Sequence, residues 1–142
     1  MARNSAFSIA RRIRTLAGVT SPLALLLYER LLPGSALGNK LRDESYRILH
    51  VTDPASAVAV ATKEKPLVVF VDLEWKTKDA ASSIRALKEE PTTRHLPILA
   101  FSSPRRADLQ EAALAAGATI IASDEAILAQ LSAMLDQAML VD

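Results

Sequence analysis

Pro66-Leu67-Val68-Val69-Phe70-Val71-Asp72-Leu73-Glu74-Trp75 is the stretch whose reading decides the fold. Residues 67–71 are continuously apolar and rich in β-branched and aromatic types. Such a short run reads as a strand buried on both faces. Asp72 stops it. A carboxylate at the end of a buried strand costs free energy unless it is paired or used. In open α/β sheets the carboxyl ends of the strands are where sites form. The reading therefore turns on what Asp72 faces.

Working outward, residues 23–27 form a second strand-like apolar run that ends at Tyr28-Glu29-Arg30. Leu31 and Leu32 follow, then Pro33-Gly34, a turn signal. Ser35 is expected to cap a helix through about residue 43, with Leu37 and Leu41 inward. Residues 46–51 mix Arg47 and His50 with apolar neighbours, which suits a partly wetted edge strand. Asp53-Pro54 reads as a cap and first helical position, opening a helix to about residue 63.

Downstream of the central run, Asp79 caps a helix that buries Ile84 and Leu87 and stops before Pro91. Residues 96–101 form a fourth strand. Ser103-Pro104 begins a helix with Leu109, Ala112, Ala113 and Ala116 inward and Gly117 as its stop. Residues 119–122 make a short fifth strand. Ser123 caps one last helix, whose first turn carries Asp124 and Glu125 at its positive end. Ile127, Leu128, Leu131, Met134, Leu135 and Ala138 mark its buried face.

Strand and helix thus alternate five times. That implies an α/β, doubly wound parallel sheet with right-handed crossovers and helices on both faces. The flavodoxin-like order 2-1-3-4-5 places the two most apolar strands side by side and the most polar one at an edge. Glu29 and Asp72 then lie at adjacent strand ends.

The 142 residues suit one domain, and the formal net charge is only +1. There is no Cys, so disulfides, thiol nucleophiles and thiolate metal sites are excluded. Low aromatic content argues against base-stacking on nucleic acid, and no apolar run is long enough for a bilayer. A cytoplasmic protein is expected. Residues 1–21 are set apart as a basic extension, with Arg3, Arg11, Arg12 and Arg14 and no acid. Phe7, Ile9, Ile13 and Leu16 come close to a helical stripe there. Residues 22–142 form the domain.

The chain from about Pro22 to Leu140 resembles the receiver domain of bacterial two-component response regulators, CheY-like in fold. Pro66-Leu-Val-Val-Phe-Val-Asp72 is similar to the family's Pro-Asp-Leu-Val-Leu-Leu-Asp, whose last residue accepts a phosphoryl group from a histidine kinase. Pro97-Ile-Leu-Ala-Phe-Ser102-Ser103 resembles its fourth strand, which ends in a hydroxyl residue and a small one. Ala115-Ala116-Gly117-Ala118 resembles the Ala-Gly-Ala before its fifth strand.

The resemblance implies Asp72 as phosphoacceptor and Ser102 as the hydroxyl that contacts the phosphoryl group. It implies a magnesium ion held by Glu29, Asp72 and the backbone carbonyl of Glu74. The family has two acids after the first strand, and Tyr28 stands where one of them belongs. Waters could complete a shell for Glu29 and Asp72, because magnesium retains much of its hydration. The family's lysine after the fifth strand corresponds to Asp124. At ~4 Å and an effective dielectric of ~20 such a charge pair is worth about 4 kcal/mol. Ile121 replaces the family's aromatic switch residue, and Lys76 and Ala80 replace its Pro and Gly after the acceptor.

The leading expectation is a stand-alone, divergent receiver, not an enzyme. It acts by protein–protein contact in a phosphorelay, with Asp phosphorylation weak or absent. Its partner would be a histidine kinase or another signalling protein, and its last two helices resemble the family's dimerisation face. The alternatives are an ordinary receiver phosphorylated on Asp72, or a small flavodoxin-like enzyme or nucleotide binder. No Gly-rich phosphate loop follows the first strand, which counts against the last.

Overall fold

In the computed structural model five parallel strands form one sheet in the order β2-β1-β3-β4-β5. The structure describes residues 21–141; the readings made for residues 1–20 lie outside them. The strands are β1 (Leu23–Leu27), β2 (Arg47–Val51), β3 (Val68–Asp72), β4 (Ile98–Ser102) and β5 (Ile120–Ser123). Every residue of β1, β3 and β4 is buried, whereas β2 at the edge is largely wetted. The expected flavodoxin-like order is thus present, for the expected reason: continuous apolar runs fill the centre.

The helices are α1 (Leu31–Asp43), α2 (Ala57–Glu64), α3 (Ala80–Glu89), α4 (Ala107–Ala116), α5 (Asp124–Ala129) and α6 (Leu131–Val141). The period-2 alternation of the strands sorts them into two layers. Leu25, Leu27, Val69, Val71, Ile98 and Ala100 pack against α2, α3 and α4. Ala24, Leu26, Val68, Phe70, Leu99 and Phe101 pack against α1, α5 and α6. Asp72, two residues after Phe70, falls on the second face. The helices that can reach it are those that begin at that face's carboxyl rim.

Five expectations need correction. The fourth helix starts at Ala107, not at Ser103-Pro104; Ser103 Oγ instead accepts from the Arg105 N–H in the preceding turn. The first helix starts at Leu31, not after Pro33-Gly34. Proline is tolerated in a first turn, whose N–H groups have no intrahelical acceptor. Gly34 is not a turn residue: an added Cβ would collide with the Tyr28 ring, so glycine permits this close approach. Asp53 and Pro54 open a 3-10 turn (Pro54–Ser56) before α2, with Asp53 accepting from the Ala55 N–H. Ala112 is exposed, because α4 buries the Ala113 and Ala116 pair instead. The last helix is two helices broken at Gln130. Asp79 and Ser123 cap as expected, accepting from Ala81 and Ser82 and from Ala126 respectively. Gly117 closes α4 at φ 112°.

Candidate functional site

Asp72 ends β3 with no solvent exposure. Its carboxylate does not face another acid alone; it faces Arg30. Arg30 immediately precedes α1 and is itself 29% exposed. Its Nε donates to Asp72 Oδ2 and its Nη2 to Asp72 Oδ1, both at 2.8 Å. The same guanidinium donates through Nη1 and Nη2 to Asp124, at 3.0 and 2.9 Å. Glu74 lies 3.6 Å from Nη1. One planar fork is therefore bidentate to two carboxylates, the geometry that arginine offers and lysine does not.

The layering explains why these residues meet. Asp72 is on the face covered by α1 and α5, Arg30 precedes α1, and Asp124 opens α5. β1 and β3 are hydrogen-bonded neighbours with Leu27 opposite Val71, so both chain ends emerge on one rim.

Burial pushes the Asp72 carboxyl above its ordinary range, and the Asp124 charge pushes the same way. The hydrogen bonds from Arg30 and from the Glu74 N–H, 2.9 Å from Oδ1, oppose it. With three donors on two oxygens, the carboxylate is read as ionised at neutral pH. For Arg30, burial works against the charge, but its hydrogen bonds to Asp124 and Asp72 outweigh this and raise its pKa. The guanidinium is a fixed cation.

The other residues named from the sequence are distributed around this centre. Glu29 is exposed, and its Oε1 accepts from the Lys76 backbone N–H at 2.8 Å. The Glu74 side chain accepts from the Ser103 N–H. Ser102 is buried on the α4 side of the sheet; it donates to the Ser103 carbonyl and accepts from Gln110 Nε2 at 3.0 Å. Its hydroxyl and the Asp72 carboxylate are turned to opposite layers. Tyr28 stacks on His50 with ring centroids 3.8 Å apart. Ile121 is partly buried against the α2–α4 layer. Trp75 donates its indole N–H to the Asp72 carbonyl at 2.6 Å and packs on the same layer. Arg106 pairs with Asp108.

Arg30 is not among the site residues named from the sequence, which offers it only as a partner for Glu29. A signal for it existed: the acid at position 124 calls for a nearby cation, and Arg30 follows Glu29 at the adjacent strand end. Among the described residues, no group of three or more His, Cys, Asp or Glu side chains is placed to hold a metal ion. As arranged, the guanidinium covers both Asp72 oxygens. A hollow of about 420 Å³ lies outside it, lined by Glu29, Arg30, Glu74, Trp75, Lys76 and Arg106.

The fold is shared with known proteins. The receiver domain of sensor histidine kinase PA1611 from Pseudomonas aeruginosa, with a magnesium ion coordinated in its active-site cleft, superposes with a TM-score of 0.74. It is 22% identical over 83% of this chain and 97% of that one. Chemotaxis response regulator CheY4 of Vibrio cholerae gives 0.65 at 20% identity, covering 79% and 97%. The Mn2+-bound form of response regulator Rcp1 gives 0.64 at 16%, covering 81% and 89%. A 64-residue stretch is 31% identical to response regulator PleD of Caulobacter vibrioides, covering 45% of this chain and 14% of that protein. No family model matches the chain. The chain has the receiver-domain fold, and its sequence similarity to a response regulator covers under half its length. No helix among the described residues is long and apolar enough to cross a membrane.

Proposed function

We propose that this receiver-fold chain serves two-component signalling as a protein-binding module whose phosphorylation site is closed by its own arginine. The observation that carries this is the double bidentate contact of Arg30 with Asp72 and Asp124. Phosphorylation of a carboxylate needs a free nucleophilic oxygen, a cation that gathers phosphoryl oxygens, and a fixed positive charge facing the product. Here both nucleophilic oxygens are engaged. The one guanidinium is shared by three carboxylates, Asp72, Asp124 and Glu74, so the cluster carries an excess of negative charge. That charge repels an incoming phosphoryl donor.

A role in binding follows from what remains. Leu31 and Leu32, 70% and 85% exposed, directly follow Arg30, so an apolar edge lies beside the closed site. Leu114 on α4 is 64% exposed and supports self-association through the later helices. The partner proposed for the first edge is a histidine kinase or another signalling protein.

The ordinary phosphorylatable receiver remains the second reading, favoured by the position of Asp72 at the end of a buried central strand. Incubation with acetyl phosphate and magnesium, followed by intact mass measurement, separates the two. No adduct is expected on the natural chain. A labile phosphoryl adduct that disappears in Asp72→Asn would establish the second reading.

A further inference from the structure

Arg30 stands just before α1 in an extended conformation, and its side chain gives the helix no cap. A long side chain loses rotamer freedom when it is fixed, so a guanidinium held on two carboxylates gains from a backbone already in place. The two preceding residues are each tied to another element. Glu29 is held by the Lys76 N–H on its carboxylate. Tyr28 is held from the edge strand: His50 Nε2 lies 2.9 Å from the Tyr28 carbonyl oxygen. A carbonyl only accepts, so this nitrogen carries a proton and donates it. The His50 ring also stacks on the Tyr28 ring, with 9° between their planes.

The sheet explains why the two rings meet. Leu26 of β1 lies opposite His50 of β2. Tyr28, two residues beyond Leu26, packs with it in the layer under α1, as strand alternation directs. From there the Tyr28 ring runs over the first turn of α1, where Gly34 is buried. A Cβ on Gly34 would collide with that ring. Gly34 has no positive φ, so its backbone would accept alanine, the better helix former. The ring excludes a side chain here and the backbone does not. His50 is itself exposed, so its two contacts with Tyr28 are not a consequence of burial.

We propose that Tyr28 and His50 are positioning residues for Arg30. The stacked pair, seated on Gly34, fixes the path of residues 28–30 and so keeps the guanidinium on Asp72 and Asp124. This rests on the closed-site reading above and extends it: the closure of a buried carboxylate depends on an exposed side chain of β2. It also gives Tyr28 a role of its own at a position where the resemblance implies an acid.

The exchange of the Arg30 Nε–H with water, read by NMR on the full chain, tests this. In His50→Ala and in Gly34→Ala the rate is expected to rise roughly three- to tenfold, the worth of one lost hydrogen bond or contact. The amides of Val69 and Leu99 in the central strands should keep their rates, since only a local opening is involved. His50→Gln retains an N–H for the Tyr28 carbonyl and should recover part of the protection lost in His50→Ala. A purely structural role predicts the opposite sign for Gly34→Ala, because alanine strengthens the helix. Unchanged Arg30 exchange in either variant overturns the proposal, as does a rise matched by the Val69 and Leu99 amides. In both cases a protected Nε–H in the natural chain leaves the closed-site reading standing. A natural chain whose Arg30 Nε–H exchanges as fast as that of free arginine overturns both.

Discussion

Arg30 holds together three acids that would otherwise repel one another, and its removal leaves Asp72 buried with only the Glu74 N–H. Arg30→Met is expected to lose about 3 kcal/mol at neutral pH, the usual result of breaking one side of a buried pair. The sign with pH follows from Asp72. Burial holds its folded-state pKa up, so without Arg30 the folded state binds a proton more readily than the unfolded chain. The deficit should therefore shrink as pH falls toward the ordinary aspartate value of about 3.9, and grow as pH rises above it. Urea unfolding of both proteins across that range checks this. Adding Asp72→Leu to Arg30→Met should restore much of the loss, since two missing charges need no partner. At this scale the sequence disclosed Asp72 and the sign change at 124. It did not disclose the Arg30 contact, because matching positions to a family asks which expected residues are absent. The sequence offers Arg30 as a partner for Glu29 and an unspecified nearby cation for Asp72; that the two are one and the same depends on the fold.

Among the elements, strands were the most legible. β1, β3 and β4 are buried on both faces, so their apolar runs are continuous until Tyr28, Asp72 and Ser102 mark their ends. Helix limits were less so. The break between α5 and α6 leaves Ile127, Leu131, Leu135 and Ala138 on one buried face, so periodicity alone does not reveal it. Pro33-Gly34 reads locally as a turn, and only the Tyr28 ring above Gly34 explains the glycine. Capping was legible because it is local chemistry. Asp79 accepts from the Ala81 and Ser82 N–H groups and from the Ser82 hydroxyl. Removing it in Asp79→Ala should cost about 1 kcal/mol. The Ser82 side chain and these backbone groups hold the carboxyl below its ordinary value. Its stabilisation is thus present above about pH 4 and lost as pH falls through that lowered value. Thermal unfolding at neutral and acid pH should show the variant and natural chain converging only in acid.

For the whole molecule, the sheet order assigns Asp72 its neighbours. A parallel sheet with β1 beside β3 brings the starts of α1 and α5 to one rim, and period-2 alternation turns Asp72 toward them. The receiver domain of PA1611, which shares this fold, carries a magnesium ion in its active-site cleft. In this chain the Arg30 guanidinium lies against the Asp72 carboxylate, and under the proposed function the site's state is set by folding and not by ion or phosphoryl supply. The most direct measurement follows the Arg30 Nε–H resonance by NMR as magnesium is added to excess. The expected result is a slowly exchanging, downfield Nε–H that does not move. Its loss or displacement on saturable magnesium binding, with matching changes at the Asp72 carboxylate carbon, would contradict the claim that Arg30 permanently occupies the site.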